Sequence, residues 1–160
     1  MPFYILLLSL EVDYTMIIAN FKDFPRAGRV IGFDWGAKRT GVAVSDDSRG
    51  FVFARPPIVG GDMLAQMLAL ANTERVVGIV LGLPLRTDGT ESDTTKMVRT
   101  VAENLSRHTD LPICFIDETL TSSAASEESN LKSVKDIKEK LDSESARIIL
   151  ENAIAVMKRL

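Results

Sequence analysis

Three acidic positions in this chain stand where a carboxylate needs a reason. Asp34 lies in the apolar run Val30-Ile-Gly-Phe-Asp34, and on an extended strand it shares a face with Val30 and Gly32. An ionised carboxylate on a buried strand is costly unless it is paired, hydrogen-bonded or bound to a metal. Asp117-Glu118 closes a second apolar run, Pro112–Ile116, at the C-terminal end of its strand, where open α/β sheets usually carry their ligands. Asp142 opens the last helical pattern on the stripe of Ala146, Ile149, Leu150, Ala153 and Met157, which directs it at the sheet. Each position has a plainer reading when taken alone. Asp34 can hydrogen-bond the Gly36–Arg39 turn, one of Asp117 and Glu118 must face away from the other and can cap a helix or meet solvent, and Asp142 is an ordinary N-cap residue. Taken together, acidic groups from two strand ends and one helix start can converge as oxygen ligands of a divalent cation.

Such a donor set suits Mg²⁺ or Mn²⁺. Two hard cations about 4 Å apart can generate hydroxide and stabilise the leaving oxygen of a phosphodiester. That chemistry needs neither histidine nor cysteine, and the chain has one of each. Cys114, inside Pro112–Ile116, reads as a buried, inert thiol. His108, in the polar stretch Ser106–Asp110 and without zinc-ligand spacing, reads as a surface residue. The stretch Gly32-Phe-Asp-Trp-Gly-Ala-Lys-Arg-Thr-Gly41 has neither dinucleotide-binding nor P-loop spacing and joins two strands, so it reads as a hairpin. Lys38 and Arg39 sit at its tip, where they can meet a nucleic-acid backbone. Trp35 alternates to the face opposite Asp34, which favours core packing over stacking on a base. The formal net charge is −3, but basic residues gather at Lys38–Arg39, at Arg86 with Lys96 and Arg99, and at Lys132, Lys135, Lys138 and Lys140. Carboxylates neutralised by metal make an acidic total compatible with local phosphate binding.

The elements that must hold these residues follow from periodicity. Strands are expected over Arg29–Trp35, Thr40–Ser45 and Phe51–Ala54, the last ending at Pro56–Pro57, as an antiparallel meander. Asp62 caps a helix carrying Leu64, Met67, Leu68 and Ala71. A doubly buried strand, Val76–Leu81, precedes a Gly82–Gly89 loop. Thr90 and Asp93 have capping-box spacing before a helix with Met97, Val101 and Leu105. The strand Pro112–Ile116 leads to a short helix from Thr121 or Ser122 through Glu128. Asn130 to Lys140 reads as a mobile lysine-rich loop that orders on binding RNA, and a final helix runs from about Asp142 to Met157. The order β-β-β-α-β-α-β-α-α implies an α/β fold with a mixed five-stranded sheet flanked by helices, as in ribonuclease H-like proteins.

One domain over 29–160 is expected, preceded by an N-terminal extension over 1–28, with Met16 an alternative start. Phe3–Leu10 is apolar but far too short to span a bilayer. With no other membrane-length segment, the expected location is the cytoplasm.

Four stretches carry a family resemblance: Gly32 through Asp46, Gly82-Leu-Pro-Leu-Arg-Thr-Asp-Gly-Thr90, Asp117-Glu-Thr-Leu-Thr121, and Lys140 through Leu150. The sequence resembles the YqgF, or RuvX, family, described as nucleases of precursor 16S ribosomal RNA or as Holliday junction resolvases. The resemblance implies a ribonuclease H-like fold, an acidic catalytic and metal-binding triad on Asp34, Glu118 and Asp142 with Asp117 as a secondary neighbour, and maturation of the 5′ end of 16S ribosomal RNA. It also leaves a DNA four-way junction as the alternative substrate, a monomer or a homodimer as the assembly, and a non-catalytic RNA-binding role as the rival to cleavage. Two departures stand out: Thr119 replaces the arginine that usually follows the Asp-Glu pair, a contact that Arg86 could supply, and Ser145 stands where alanine is common.

Overall fold

The computed structural model describes residues 16–119 and 134–160, with 134–140, 142 and 143 described through their backbone alone. Its elements are β1 (Ile17–Ile18), β2 (Val30–Asp34), β3 (Arg39–Ser45), β4 (Val52–Val59), α1 (Met63–Thr73), β5 (Gly78–Leu85), α2 (Asp93–Ser106), β6 (Ile113–Thr119) and α3 (Val134–Lys158). The sheet order is β1-β6-β5-β2-β3-β4. The meander β2-β3-β4 is antiparallel, while β5 runs parallel to β2 and β6 parallel to β5. This is the ribonuclease H-like arrangement that the element order implied.

Alternation along the strands gives the sheet two differently covered faces. Ile31, Phe33, Val42, Val44, Ile79 and Leu81 face α1 and α2, where Met67, Val98 and Leu105 complete one cluster. Val30, Ala43, Val80 and Cys114 face the other way, onto Ala146, Ile149, Leu150 and Ala153 of α3. Gly32 belongs to that second face, and a Cβ there would stand 3.0 Å from Leu150 Cβ. The missing side chain is what lets α3 lie so close to β2.

Several boundaries differ from expectation, each for a local reason. A sixth strand exists because Ile17 and Ile18, from the stretch read as an N-terminal extension, pair with Ile113 and Cys114. Strand β4 runs through Pro56 and Pro57, and its register with β3 steps from Arg55 to Ile58 across them. An edge strand tolerates that, because a missing N–H there leaves no neighbour unpaired. The expected Gly82–Gly89 loop starts later, since Leu83, Pro84 and Leu85 continue β5 opposite Asp117, Glu118 and Thr119. The cap of α2 is Ser92, not Thr90: Ser92 Oγ accepts from Thr95 N, and Thr95 Oγ1 accepts from Ser92 N at 3.0 Å. Thr90 instead donates to Asp88 in the preceding turn. The buried stripe of α2 is consequently Thr95, Val98, Ala102 and Leu105, and Met97 is 48% exposed.

The last helix is the largest correction. It begins at Val134, so residues 134–140 of the expected mobile loop are helical, and Asp142 lies more than two turns inside the helix instead of capping it. Val134, Ile137 and Leu141 continue its apolar spacing between lysines, which are themselves good helix formers. The helix expected over Thr121–Glu128, and residues 130–133, lie outside the described residues. No helix among the described residues is long and apolar enough to cross a membrane.

Candidate active site

Strand register decides which acidic residues can meet. Phe33 pairs with Leu81, and Leu81 with Phe115, so these three stand at one level of the parallel strands. Asp34 follows at the level where Gly82 pairs with Ile116, and Glu118 lies opposite Pro84, farther toward the same C-terminal edge. β2 and β6 are separated by β5, a span of about 10 Å between strand axes. Counting by twos, Asp34 shares its face with Val30, and Glu118 shares the same face with Cys114, so both stand on the side covered by α3. Asp117 takes the parity of Ile113, on the α1–α2 side, and is exposed. The question left between the two neighbours is resolved by parity: Glu118 shares the face of Asp34, and Asp117 does not. Asp34 and Glu118 are each half-buried.

A second glycine shapes the space beside Glu118. A Cβ on Gly82 would stand 2.5 Å from Ile149 Cδ1 and 3.5 Å from Glu118 Cγ. Gly82 therefore leaves the room into which both the α3 side chain and the Glu118 stem fit. From α3, Asn152 Nδ2 donates to Glu118 Oε1 at 3.5 Å, a long contact. Sequence reasoning passed over Asn152; its only signal was its place three residues after Ile149 on a helix already read as packing on the sheet. Asp142 lies in the same helix one turn before Ala146, and its side chain is outside the described residues. Among the described residues no three His, Cys, Asp or Glu side chains form a metal-binding group. The donors on this face, Asp34 and Glu118, are carboxylates, whose hard oxygens fit Mg²⁺ or Mn²⁺ better than a soft metal.

Basic residues flank the same edge. Lys38 and Arg39 lie in the β2–β3 connection, with Lys38 exposed and its carbonyl accepting from Gly60 N at 3.3 Å. That hairpin depends on Gly36, where a Cβ would fall 2.4 Å from the Arg39 carbonyl oxygen. Arg86 directly follows β5, exposed at the head of a turn closed by its carbonyl and Gly89 N at 2.8 Å. Trp35 turns to the other face, as expected, and packs half-buried on the α1–α2 cluster. Cys114 is buried, and burial pushes its thiol up to about 12. His108 is exposed.

A family model described as "RuvX: Holliday junction resolvase" matches residues 28–155. A protein of Maridesulfovibrio salexigens named "Putative pre-16S rRNA nuclease" is 40% identical over 132 residues, covering 79% of this chain and 98% of that protein. A protein of the same name from Rhodopseudomonas palustris strain BisA53 is 37% identical over 143 residues, covering 86% of this chain and 88% of that protein. Among solved structures, Thermus thermophilus RuvC in complex with a Holliday junction substrate superposes with a TM-score of 0.48 at 10% identity, covering 82% of this chain and 96% of that one. The yeast mitochondrial Holliday junction resolvase Ydc2 gives 0.47 at 13% identity, covering 85% and 82%.

Proposed function

Because the chain belongs to the RuvX family, we propose that it is a metal-dependent nuclease that trims the 5′ side of precursor 16S ribosomal RNA during ribosome biogenesis in the cytoplasm. The observation that carries this reading is the placement of Asp34 and Glu118 on one sheet face, at one edge, under the helix that contains Asp142. In this reading Asp34, Glu118 and Asp142 hold Mg²⁺ or Mn²⁺, with Asp117 contributing at most from the rim of the opposite face. The bound cations supply a water activated at neutral pH and charge stabilisation at the leaving oxygen. Asp34 and Glu118 fix where that charge sits, because each comes from a strand held in register by its neighbours. Asn152 orients Glu118 by donating to its Oε1.

Lys38, Arg39 and Arg86 are then the phosphate-contacting residues, since all three lie at the edge that carries the carboxylates, Lys38 and Arg86 exposed and Arg39 half-buried. Arg86 has a particular part. It follows Leu85, the residue paired with Thr119, so its guanidinium can serve where the family resemblance implies an arginine after the Asp-Glu pair.

The family description favours one alternative, cleavage of four-way DNA junctions, which calls for a two-fold dimer to make paired cuts. Incubating the protein with precursor 16S RNA and with four-way DNA junctions, in Mn²⁺ or in EDTA, separates the two. Metal-dependent RNA cutting that Asp34→Asn loses, with the variant still folded, supports the ribonuclease. Cutting of junctions alone moves the assignment to a resolvase. RNA bound but uncut, equally by the wild type and Asp34→Asn, replaces the enzyme with a binding factor.

A further inference from the structure

At the opposite end of the sheet from Asp34 and Glu118 lies a cavity of about 420 Å³ whose charged side chains are all cations: Lys22, Arg26 and Arg49. It opens where β2 and β5 begin: Arg49 Nε donates to the Gly28 carbonyl at 2.8 Å, and Phe24 lies against Gly78, the first residue of β5. From Gly78 to Pro84, the partner of Glu118, the sheet runs about 20 Å. The two ends are separate places.

Arg49 is the unusual member. It is 7% exposed and holds a left-handed backbone conformation with φ of 59°, in the tight turn between β3 and β4. All its partners are neutral: the Gly28 carbonyl, Met157 Sδ at 3.4 Å from Nη1, and the Phe24 ring 5.8 Å from Cζ. Its Nη2 is buried and has no hydrogen-bond partner among the described residues. Of the two carboxylates that precede it in sequence, Asp46 is committed to Ser48 Oγ and Phe51 N, and Asp47 is exposed. None of Lys22, Arg26 and Arg49 takes part in an ion pair among the described residues. A largely buried guanidinium whose partners are all neutral is a costly arrangement that an anion beside it would relieve.

We infer that this cavity is a binding site for a nucleotide phosphate, held by Arg49 from within and by Lys22 and Arg26 at the mouth. Planar guanidinium groups match phosphate oxygens, and the volume exceeds that of a bare oxyanion, leaving space for an organic body. Phe21, Phe24 and Met157 provide an apolar wall for that body. The phosphate belongs either to a free mononucleotide or to the 5′-phosphorylated end of a strand. The inference does not depend on the nuclease reading.

The test is calorimetric titration, in EDTA so that no strand is cut, with AMP, inorganic phosphate, and a single-stranded tetranucleotide bearing either a 5′-phosphate or a 5′-hydroxyl. AMP should bind and raise the melting temperature, because it engages only the folded state. The double variant Lys22→Gln/Arg26→Gln, altered only at exposed positions, should weaken that binding about tenfold or more. Tighter binding of the 5′-phosphorylated tetranucleotide than of AMP identifies a strand end as the ligand, and equal binding identifies the mononucleotide. Arg49→Lys keeps the charge but removes the planar guanidinium and should abolish binding if it folds. No binding of any phosphate probe at millimolar concentration, or binding unchanged in the double variant, overturns the inference.

Discussion

Replacing Gly32 by alanine is the sharpest test of how α3 is seated. The added Cβ would lie 3.0 Å from Leu150 Cβ, 3.4 Å from its Cδ1 and 3.5 Å from its Cγ. Carbon atoms rest about 3.5–4.0 Å apart. The Cδ1 contact can be relieved by rotation, but a Cβ is fixed to its backbone, so α3 must withdraw from β2 by roughly 0.5 Å. Overpacking of this kind costs about 1–3 kcal/mol, while exchanging Gly for Ala returns about 0.4–1 kcal/mol by restricting the unfolded chain. The expected net loss is about 1 kcal/mol, read as a lowered urea midpoint followed through Trp35, the sole tryptophan. Gly50→Ala is the control: its Cβ would meet only Ser48 Oγ, at 3.4 Å, and it should stay within about 0.5 kcal/mol of wild type. Because α3 also carries Asn152 and Asp142, metal-dependent cleavage by Gly32→Ala should fall by about tenfold or more even where the variant is fully folded. A variant as stable and as active as wild type would show that the close approach of Leu150 does not position α3, and the reasoning would fail.

Two further outcomes follow from side chains away from the site. Glu74, at the C-terminal end of α1, has its carboxyl held below the usual range, first by the Arg55 hydrogen bond at 2.9 Å and then by Arg29 at 3.0 Å, against opposing burial. A carboxyl depressed on folding contributes stability that is fully present above its unfolded pKa and is lost as pH falls through the folded one. Glu74→Gln should therefore cost about 1–2 kcal/mol at pH 7, and the gap to wild type should narrow as pH drops below about 4. A gap that is constant from pH 7 to pH 3 would refute this. Cys114, with its thiol pushed up to about 12, should resist iodoacetamide at pH 8 in the native protein and react once urea unfolds it. Rapid native labelling would contradict its burial.

The fold was legible where burial is one-sided and the period is clean. Val30 to Phe33 and Thr40 to Ser45 announced β2 and β3, and Asp62 announced the start of α1, where its carboxylate accepts from Ala65 N at 3.1 Å. The errors fell where tertiary context outweighs local chemistry. Pro56 and Pro57 end a strand by any local rule, yet at a sheet edge they need not. Leu83, Pro84 and Leu85 read as loop because the Asp-Gly turn at Asp88-Gly89 lies close, but pairing with β6 claims them first. The lysines between Val134 and Leu141 hid an apolar helical spacing beneath a polar average.

The site was legible to a different depth on each element. Strand alternation alone established that only one of Asp117 and Glu118 could share a face with Asp34. Choosing between them required the register of β6 against β5, which joins residues far apart in the chain and leaves no local trace. Gly32 reads as an ordinary residue of the first strand and Gly82 as the start of a loop, yet both lie within strands under α3. Their purpose is visible only once Leu150 and Ile149 are in place above them. A glycine inside an apolar strand is an entropic liability unless something must come close. Two of them on one face, each preceding or adjoining a candidate carboxylate, therefore mark where a helix presses toward the acidic edge. In this chain the packing of α3 and the geometry of the site are one arrangement, which is why a methyl group at Gly32 should be felt at Glu118.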